Sequence, residues 1–130
     1  MRRLLMIAFL TAMLAPIAAP PAASENYNDQ AVAEFPQSGK VNMIVLGDRF
    51  CRACRLMKPI LAELKTEYGN SAVIRFYEIS EHPEFKSRFE IKTTPTILFY
   101  DEDGEIVERY EGYTKKNKLV EKLGELGAVR

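Results

Sequence analysis

The sequence contains few of the side chains that bind transition metals. Its 130 residues include two cysteines, Cys51 and Cys54, and one histidine, His82. A structural zinc site needs about four such ligands, so this composition argues against zinc. Covalent haem attachment needs a histidine directly after the second cysteine, and Arg55 occupies that position. An inert structural disulfide remains open. A dithiol that carries Cu(I) also remains open, because soft thiolates select Cu(I).

The sequence also lacks a strong net charge. Lys+Arg and Asp+Glu both number 18, so the formal net charge is zero. If the two arginines near the N-terminus are removed by processing, the remaining chain has a small negative charge. The overall charge is therefore not of the strongly positive kind that indicates binding to nucleic acid.

No hydrophobic run is long enough for an ordinary membrane span. The apolar segment at 4–19 has about 16 residues, short of the roughly 20 that cross a bilayer, and Pro16 interrupts it. Arg2 and Arg3 precede this segment and small residues follow it. That pattern is typical of a secretory signal peptide, and we expect cleavage after residue 23 or 24. A retained N-terminal membrane anchor is the alternative.

The rest of the chain has the size of one domain. About 107 residues remain after a signal peptide at 1–23, enough for a single core but not for two. Residues 24–40 are polar and predict an arm, with one possible short helix at 29–35 that ends before Pro36. We expect the domain itself to span 41–130.

Apolar periodicity within 41–130 predicts an α/β sandwich around one central sheet. The predicted strands are 41–46, 73–79, 96–100 and 106–110, and the last two form a hairpin whose turn needs a positive φ at Gly104. The predicted helices are 51–68, 83–89 and one that starts after Thr114 as N-cap. The last helix presents an apolar stripe of Leu119, Val120, Leu123 and Leu126. We expect His82 to be a solvated loop residue.

The two cysteines lie where the first strand gives way to the long helix. A disulfide between them closes a ring of about four residues and stabilises by only about 2 kcal/mol, so the pair is better suited to chemistry. The helix N-terminus favours a thiolate at Cys51. Cys54 lies one turn deeper on the same face. We therefore expect Cys51 to be the attacking sulfur and Cys54 the resolving one. Four basic residues flank the pair: Arg49, Arg52, Arg55 and Lys58.

Several motifs in order resemble those of one family. The Cys-x-x-Cys pair follows a strand and an aromatic residue, Phe50, and Pro59 falls five residues after Cys54. The segment 93–96, Thr-Thr-Pro-Thr, precedes an apolar strand, and Gly104 and Gly112 follow at the family's spacing. Over 41–126 the chain resembles an exported, periplasmic thioredoxin-like thiol–disulfide oxidoreductase of the thioredoxin superfamily.

The resemblance implies a thioredoxin-like fold, with a central mixed sheet of about four strands flanked by helices and an abbreviated N-terminal part. It implies a cis bond before Pro95 and a substrate groove formed by Phe50, Thr94, Pro95 and Gly112. It implies no metal and no cofactor other than the redox-active Cys51–Cys54 disulfide. The family usually has a buried aspartate beneath the second cysteine, where this chain has Val45. Either proton transfer is then slower, or water or another group such as Glu78 moves the proton.

The resemblance further implies reduction of disulfides in exported proteins, apocytochromes among the candidates, by a monomer in the periplasm. A membrane electron-transfer protein would supply the electrons. The segment between Cys54 and Pro95 has no room for the helical insert typical of periplasmic oxidants, which favours a reductant. A disulfide-donating oxidant, or a non-catalytic module that binds peptide or Cu(I), is the alternative.

Overall fold

The computed structural model describes residues 36–130. The expected signal peptide, its cleavage site, the helix at 29–35 and the abbreviated N-terminal part all lie outside the described residues. The described elements are β1 (Val41–Gly47), α1 (Arg52–Tyr68), β2 (Ala72–Glu78), α2 (Glu84–Arg88), β3 (Thr96–Tyr100), β4 (Ile106–Glu111) and α3 (Lys116–Glu125). None of these helices is long and apolar enough to cross a membrane.

One mixed sheet with strand order β2-β1-β3-β4 organises the domain. β1 runs parallel to β2 and antiparallel to β3, and β3 and β4 form the expected hairpin. β1 is buried along its whole length, because each face of the sheet has its own apolar cluster. α1 and α3 contribute to the larger cluster, and α2 contributes Phe85 to the smaller one. The predicted thioredoxin-like α/β fold is confirmed.

α1 begins at Arg52 and includes Pro59 in its interior. Its buried residues are Cys54, Met57, Leu61, Leu64 and Tyr68. This spacing of three or four places them on one face, packed against the sheet. The helix ends at Gly69 as predicted, but Gly69 has a right-handed φ of −56°. A side chain there would lie 2.7 Å from the Lys65 carbonyl oxygen, so the close approach requires glycine.

The hairpin tip and the start of the described chain meet at one end of the sheet. Gly104 has the expected positive φ, 85°. The Gly39 N–H donates to the Glu102 carbonyl at 2.8 Å. Beside it, Asn42 is fully buried and makes three hydrogen bonds, two with the backbone of Gln37 and one to the Lys40 carbonyl. Lys40 and the hairpin tip therefore lie at the end of β1 opposite to Gly47.

The N-cap expected for α3 and the solvated position expected for His82 both need correction. Thr114 does not cap α3, because its hydroxyl donates to the Gly112 carbonyl at 3.3 Å; the N-cap is Lys115, which makes no side-chain cap bond. In the apolar stripe, Leu119 and Leu123 are fully buried, while Val120 and Leu126 pack at the edge of the core. His82 is not a solvated residue, since its ring stacks on Phe85 with centroids 5.0 Å apart.

Candidate active site

The two cysteines form a compact dithiol at the end of β1. Cys51 is the N-cap of α1, and its sulfur accepts a hydrogen bond from the Cys54 N–H at 3.2 Å. Asp48 fixes the preceding turn, since its carbonyl accepts from the Cys51 N–H and its carboxylate from the Phe50 N–H. Both cysteines are free thiols. The turn thus places Cys51 at the positive end of the helix, as the sequence predicted.

The two thiols differ in access. Cys54 has no exposed surface and belongs to the larger apolar cluster, whereas Cys51 is half-buried at the edge of that cluster. A partner in solvent can therefore reach Cys51 and not Cys54. This is the arrangement expected of an attacking and a resolving sulfur.

The segment before β3 faces the dithiol. The Thr94–Pro95 bond is cis, as expected. The Cys51 thiol lies 3.5 Å from the Thr94 carbonyl, to which it donates a weak hydrogen bond. The Gly112 N–H donates to the Pro95 carbonyl at 2.8 Å, so Gly112 is held beside the same segment. Phe50 is 83% exposed next to Cys51. The structure therefore brings the sequence-predicted residues to one end of the sheet.

Burial and hydrogen bonds separate the acidities of the two thiols. Burial is the largest single effect on Cys51 and raises its pKa, but hydrogen bonds from the side chains of Cys54 and Thr94 and from the backbone N–H groups of Ala53 and Cys54 together outweigh it. The pKa of Cys51 is therefore lowered from its usual 9.0. Burial is also the largest effect on Cys54, and with the hydrogen bond to Cys51 it raises the pKa of Cys54 to about 11. Cys51 is thus the more acidic thiol of the pair.

The environment beneath Cys54 is apolar. Val45 is fully buried and pairs in the sheet with Phe76. Glu78 lies on the same face of the sheet as Phe76, at the end of β2, where its carboxylate pairs with Arg49 at 3.2 Å and with Lys58 at 3.8 Å. This carboxylate is therefore already in an ion-pair network.

Sequence reasoning missed the role of Gly47. A Cβ built on Gly47 would lie 2.9 Å from the Cys54 sulfur and 2.7 Å from the Phe76 ring. Glycine at this position lets α1 approach the sheet closely enough to bury Cys54. The signal in the sequence was a glycine at the end of a buried strand just before the Cys-x-x-Cys motif.

A cleft of about 600 Å³ opens beside Cys51. Its walls include Phe50, Thr94, Ile79, Lys86 and Lys92. The two lysines were also missed, because they come from the segment between β2 and β3, distant in sequence from the cysteines. Among residues 36–130, no group of three or more histidine, cysteine, aspartate or glutamate side chains is arranged to hold a metal ion.

Residues 28–127 of this chain match the sequence model of one protein family, the thioredoxin-like domain. The chain belongs to the thioredoxin-like family. Thioredoxin from Staphylococcus haemolyticus is 32% identical over 73% of this chain and 89% of its own length. Thioredoxin 2 from Chlorobaculum tepidum is 29% identical over 72% of this chain and 84% of its own length. At the level of the family, the chain is a thiol–disulfide oxidoreductase.

A solved structure of a malarial protein shares the thioredoxin-like fold. It superimposes with a TM-score of 0.63 over 68% of this chain and 99% of its own length, at 17% sequence identity. This likeness concerns the fold alone, and it agrees with the sheet order and the flanking helices.

Proposed function

We propose that this protein acts outside the cytoplasm and reduces disulfides of exported proteins, with Cys51 as nucleophile and Cys54 as resolving thiol. The contrast between the two thiols carries the proposal. Cys51 is the accessible, more acidic sulfur beside Thr94, whereas Cys54 is fully buried and its N–H donates to the Cys51 sulfur. A nucleophile that a substrate can reach and a partner that it cannot are what sequential exchange needs.

The proposed reaction has two exchange steps. The Cys51 thiolate attacks the substrate disulfide, a Cys51–substrate disulfide forms, and the first substrate sulfur leaves as a thiolate. Cys54 then loses its proton and attacks the Cys51 sulfur, which releases the second substrate thiolate. Both leaving thiolates take up protons, so the substrate gains two electrons and two protons while the protein becomes the Cys51–Cys54 disulfide. This disulfide is the only redox group that the reaction requires.

The residues around Cys51 would hold an extended substrate segment. The backbone at Thr94, next to Pro95, can pair with such a segment as an added strand. Phe50, which is 83% exposed, offers an apolar contact on one side of Cys51. Gly112, held against the Pro95 carbonyl, leaves room for a backbone on the other side.

Two observations support the reducing direction. Between α1 and β3 the chain forms only β2 and α2, so it lacks an inserted helical domain in that segment. Its relatives in Staphylococcus and Chlorobaculum are named thioredoxins. We therefore propose disulfide-containing exported proteins, apocytochromes among them, as substrates, and a membrane electron-transfer protein as the reductant.

Reduction of insulin with dithiothreitol as electron source tests the activity. We expect turnover by the wild type and none by Cys51→Ala. Cys54→Ala should instead accumulate mixed disulfides with its substrates, which mass spectrometry can identify. Failure of the wild type to reduce insulin, together with tight Cu(I) binding, would favour a binding module and contradict the proposal.

The reduction potential tests the direction. Equilibration with dithiothreitol or glutathione buffers should give a value near the thioredoxin end of the scale, about −270 mV. A value near about −120 mV would indicate a disulfide-donating oxidant instead.

Cell fractionation tests the location. We propose that residues 1–23 direct export to the periplasm, which the arginine pair and the apolar segment of the sequence support. The protein should appear in the periplasmic fraction as a monomer with a new N-terminus at residue 24 or 25. A membrane fraction with the N-terminus intact would indicate a retained anchor.

A further inference from the structure

The cleft beside Cys51 has an excess of positive charge. Lys86 and Lys92 both line it, both are exposed, and neither makes an ion pair within the described part of the chain. The charged residues that line the cleft are these two lysines and one carboxylate, Asp48, so its lining has a net positive charge. Asp48 lines the cleft and accepts the Phe50 N–H, while Glu78 pairs with Arg49 and Lys58.

The segment that carries the lysines consists of α2, which contains Lys86, and the loop after it, which contains Lys92, and this segment is held in place. The Ile91 N–H donates to the Lys86 carbonyl at 2.9 Å, which ties the segment before β3 back to α2. The Arg109 side chain of β4 donates to the carbonyls of Phe89 and Glu90, so a strand of the sheet also holds the end of α2 and the residue after it. These bonds hold the backbone between Lys86 and Ile91, and both lysines line the cleft.

Further positive charge continues around the dithiol. Arg52 and Arg55 are exposed on the first turns of α1, and within residues 36–130 neither has an ion-pair partner. The cleft, about 600 Å³, is large enough for one or two amino-acid side chains. A polypeptide segment with carboxylates near its disulfide would match this charge, whereas a basic segment would be repelled.

We propose that the cleft lined by Lys86 and Lys92 binds an acidic side chain of the substrate, on one flank of the cysteine that Cys51 attacks. This inference rests on the proposed function and names the substrate class: disulfide-bonded polypeptides with aspartate or glutamate close to the reacting cysteine. Electrostatic attraction at such an exposed site acts on the rate of encounter and on selection between substrates.

Short peptides test the proposal. Each has one cysteine joined to 2-mercaptoethanol, and each carries glutamate, glutamine or lysine at neighbouring positions on either the N-terminal or the C-terminal flank. The measurement is the rate constant for reduction by the reduced protein. On one flank, glutamate should raise the rate about twofold to fivefold per lysine engaged relative to glutamine, and lysine should lower it. Raising the salt to about 0.5 M, where the screening length is about 4 Å, should remove most of the difference.

Variants assign the effect to the cleft. Lys86→Gln combined with Lys92→Gln should abolish the preference for glutamate, and Lys86→Glu with Lys92→Glu should reverse it. The control is Lys40→Gln, which removes the same charge at the opposite end of β1. Each peptide rate is divided by the same protein's rate with hydroxyethyl disulfide, a neutral substrate, so that any change in the reactivity of the dithiol cancels.

Three results would overturn the inference. They are equal rates for the glutamate, glutamine and lysine peptides, a preference that survives both lysine substitutions, and a dependence on the lysines seen with glutathione disulfide but not with peptides. Failure to reduce hydroxyethyl disulfide would instead refute the proposed function. In that case the charge preference is still measured by titrating the same peptides, with serine in place of cysteine, into the Cys51→Ser protein.

Discussion

Gly47→Ala tests how tightly the dithiol is packed against the sheet. The added Cβ would lie 2.7 Å and 2.8 Å from two atoms of the Phe76 ring and 2.9 Å from the Cys54 sulfur. Favourable contacts between such atoms begin at about 3.5 Å, so the overlap is about 0.6 to 0.8 Å at each. Overpacking of this kind costs about 1–3 kcal/mol.

The atoms around Gly47 narrow the range of destabilisation expected for Gly47→Ala. The Phe76 ring borders a surface cleft of about 230 Å³ and can shift toward it, which relieves part of the overlap. The Cys54 sulfur has no exposed surface and is attached to α1, so it cannot move without the helix. We therefore expect Gly47→Ala to lower the free energy of unfolding by about 1–2 kcal/mol.

Denaturant unfolding of the reduced and oxidised proteins measures this change. A loss of that size corresponds to a fall in Tm of about 4–16 °C for a domain of this length. Gly124→Ala is the matched control, because a Cβ at Gly124 meets nothing within 4 Å and the residue lies in α3. That substitution should leave stability unchanged or raise it by up to about 1 kcal/mol.

A double substitution separates packing from other causes. In a Phe76→Leu background the ring is gone, and Gly47→Ala should cost less than it does in the wild type by about 0.5 kcal/mol or more. An unchanged stability for Gly47→Ala, or the same loss in both backgrounds, would refute the packing argument.

Three further predictions concern the thiols and the start of the domain. Because the pKa of Cys51 is lowered and that of Cys54 is raised to about 11, iodoacetamide at pH 8 should label Cys51 and leave Cys54 unmodified by mass spectrometry. Between pH 9 and about 11 the unfolded Cys54 has lost its proton while the folded one keeps it, so the reduced protein should lose stability relative to the oxidised protein as pH rises, by up to about 3 kcal/mol. The opposing effect of Cys51 fades as the pH passes 9.0, its usual pKa. Asn42→Ala removes three buried hydrogen bonds to Gln37 and Lys40 and should lower the free energy of urea unfolding by about 2–4 kcal/mol.

Each of these has its own contrary result. Equal labelling of both cysteines at pH 8 would contradict the difference in acidity. Parallel pH profiles for the reduced and oxidised proteins would contradict the raised pKa of Cys54. Asn117→Ala, at an exposed position in α3, is the control for Asn42→Ala and should change stability little. Equal losses of unfolding free energy at the two asparagines would contradict a stabilising role for the hydrogen bonds of Asn42.

Local pattern predicted most of the fold. The strand predicted at 96–100 matches β3, and the one predicted at 41–46 differs from β1 by one residue, because these continuous apolar runs end at residues that favour turns. The prediction that Thr114 caps α3 was wrong, because the hydroxyl of a threonine before a helix can also donate to a nearby loop carbonyl. Thr114 bonds Gly112, a choice that depends on how the loop leaves β4.

The site was predictable where its residues are neighbours in sequence. The Cys-x-x-Cys spacing alone places Cys51 at the helix start and Cys54 one turn inward. Lys86 and Lys92 reach the cleft through tertiary contacts, among them the bonds from Arg109 that hold their loop. The contact of Gly47 with Phe76 and Cys54 likewise joins two strands and a helix, so no local pattern contains it.

The position of Pro36 fixes where the described chain enters the domain. Its ring lies beside Gly104 at the hairpin tip, and Gly39 bonds the same turn, so the chain enters the domain at the end of the sheet remote from Cys51. The length of β1, about 23 Å for its seven residues, separates the two ends. A surface or fusion partner attached close to residue 36 would therefore lie at the end of the sheet remote from Cys51, and the end that carries the dithiol would stay open to a large folded substrate.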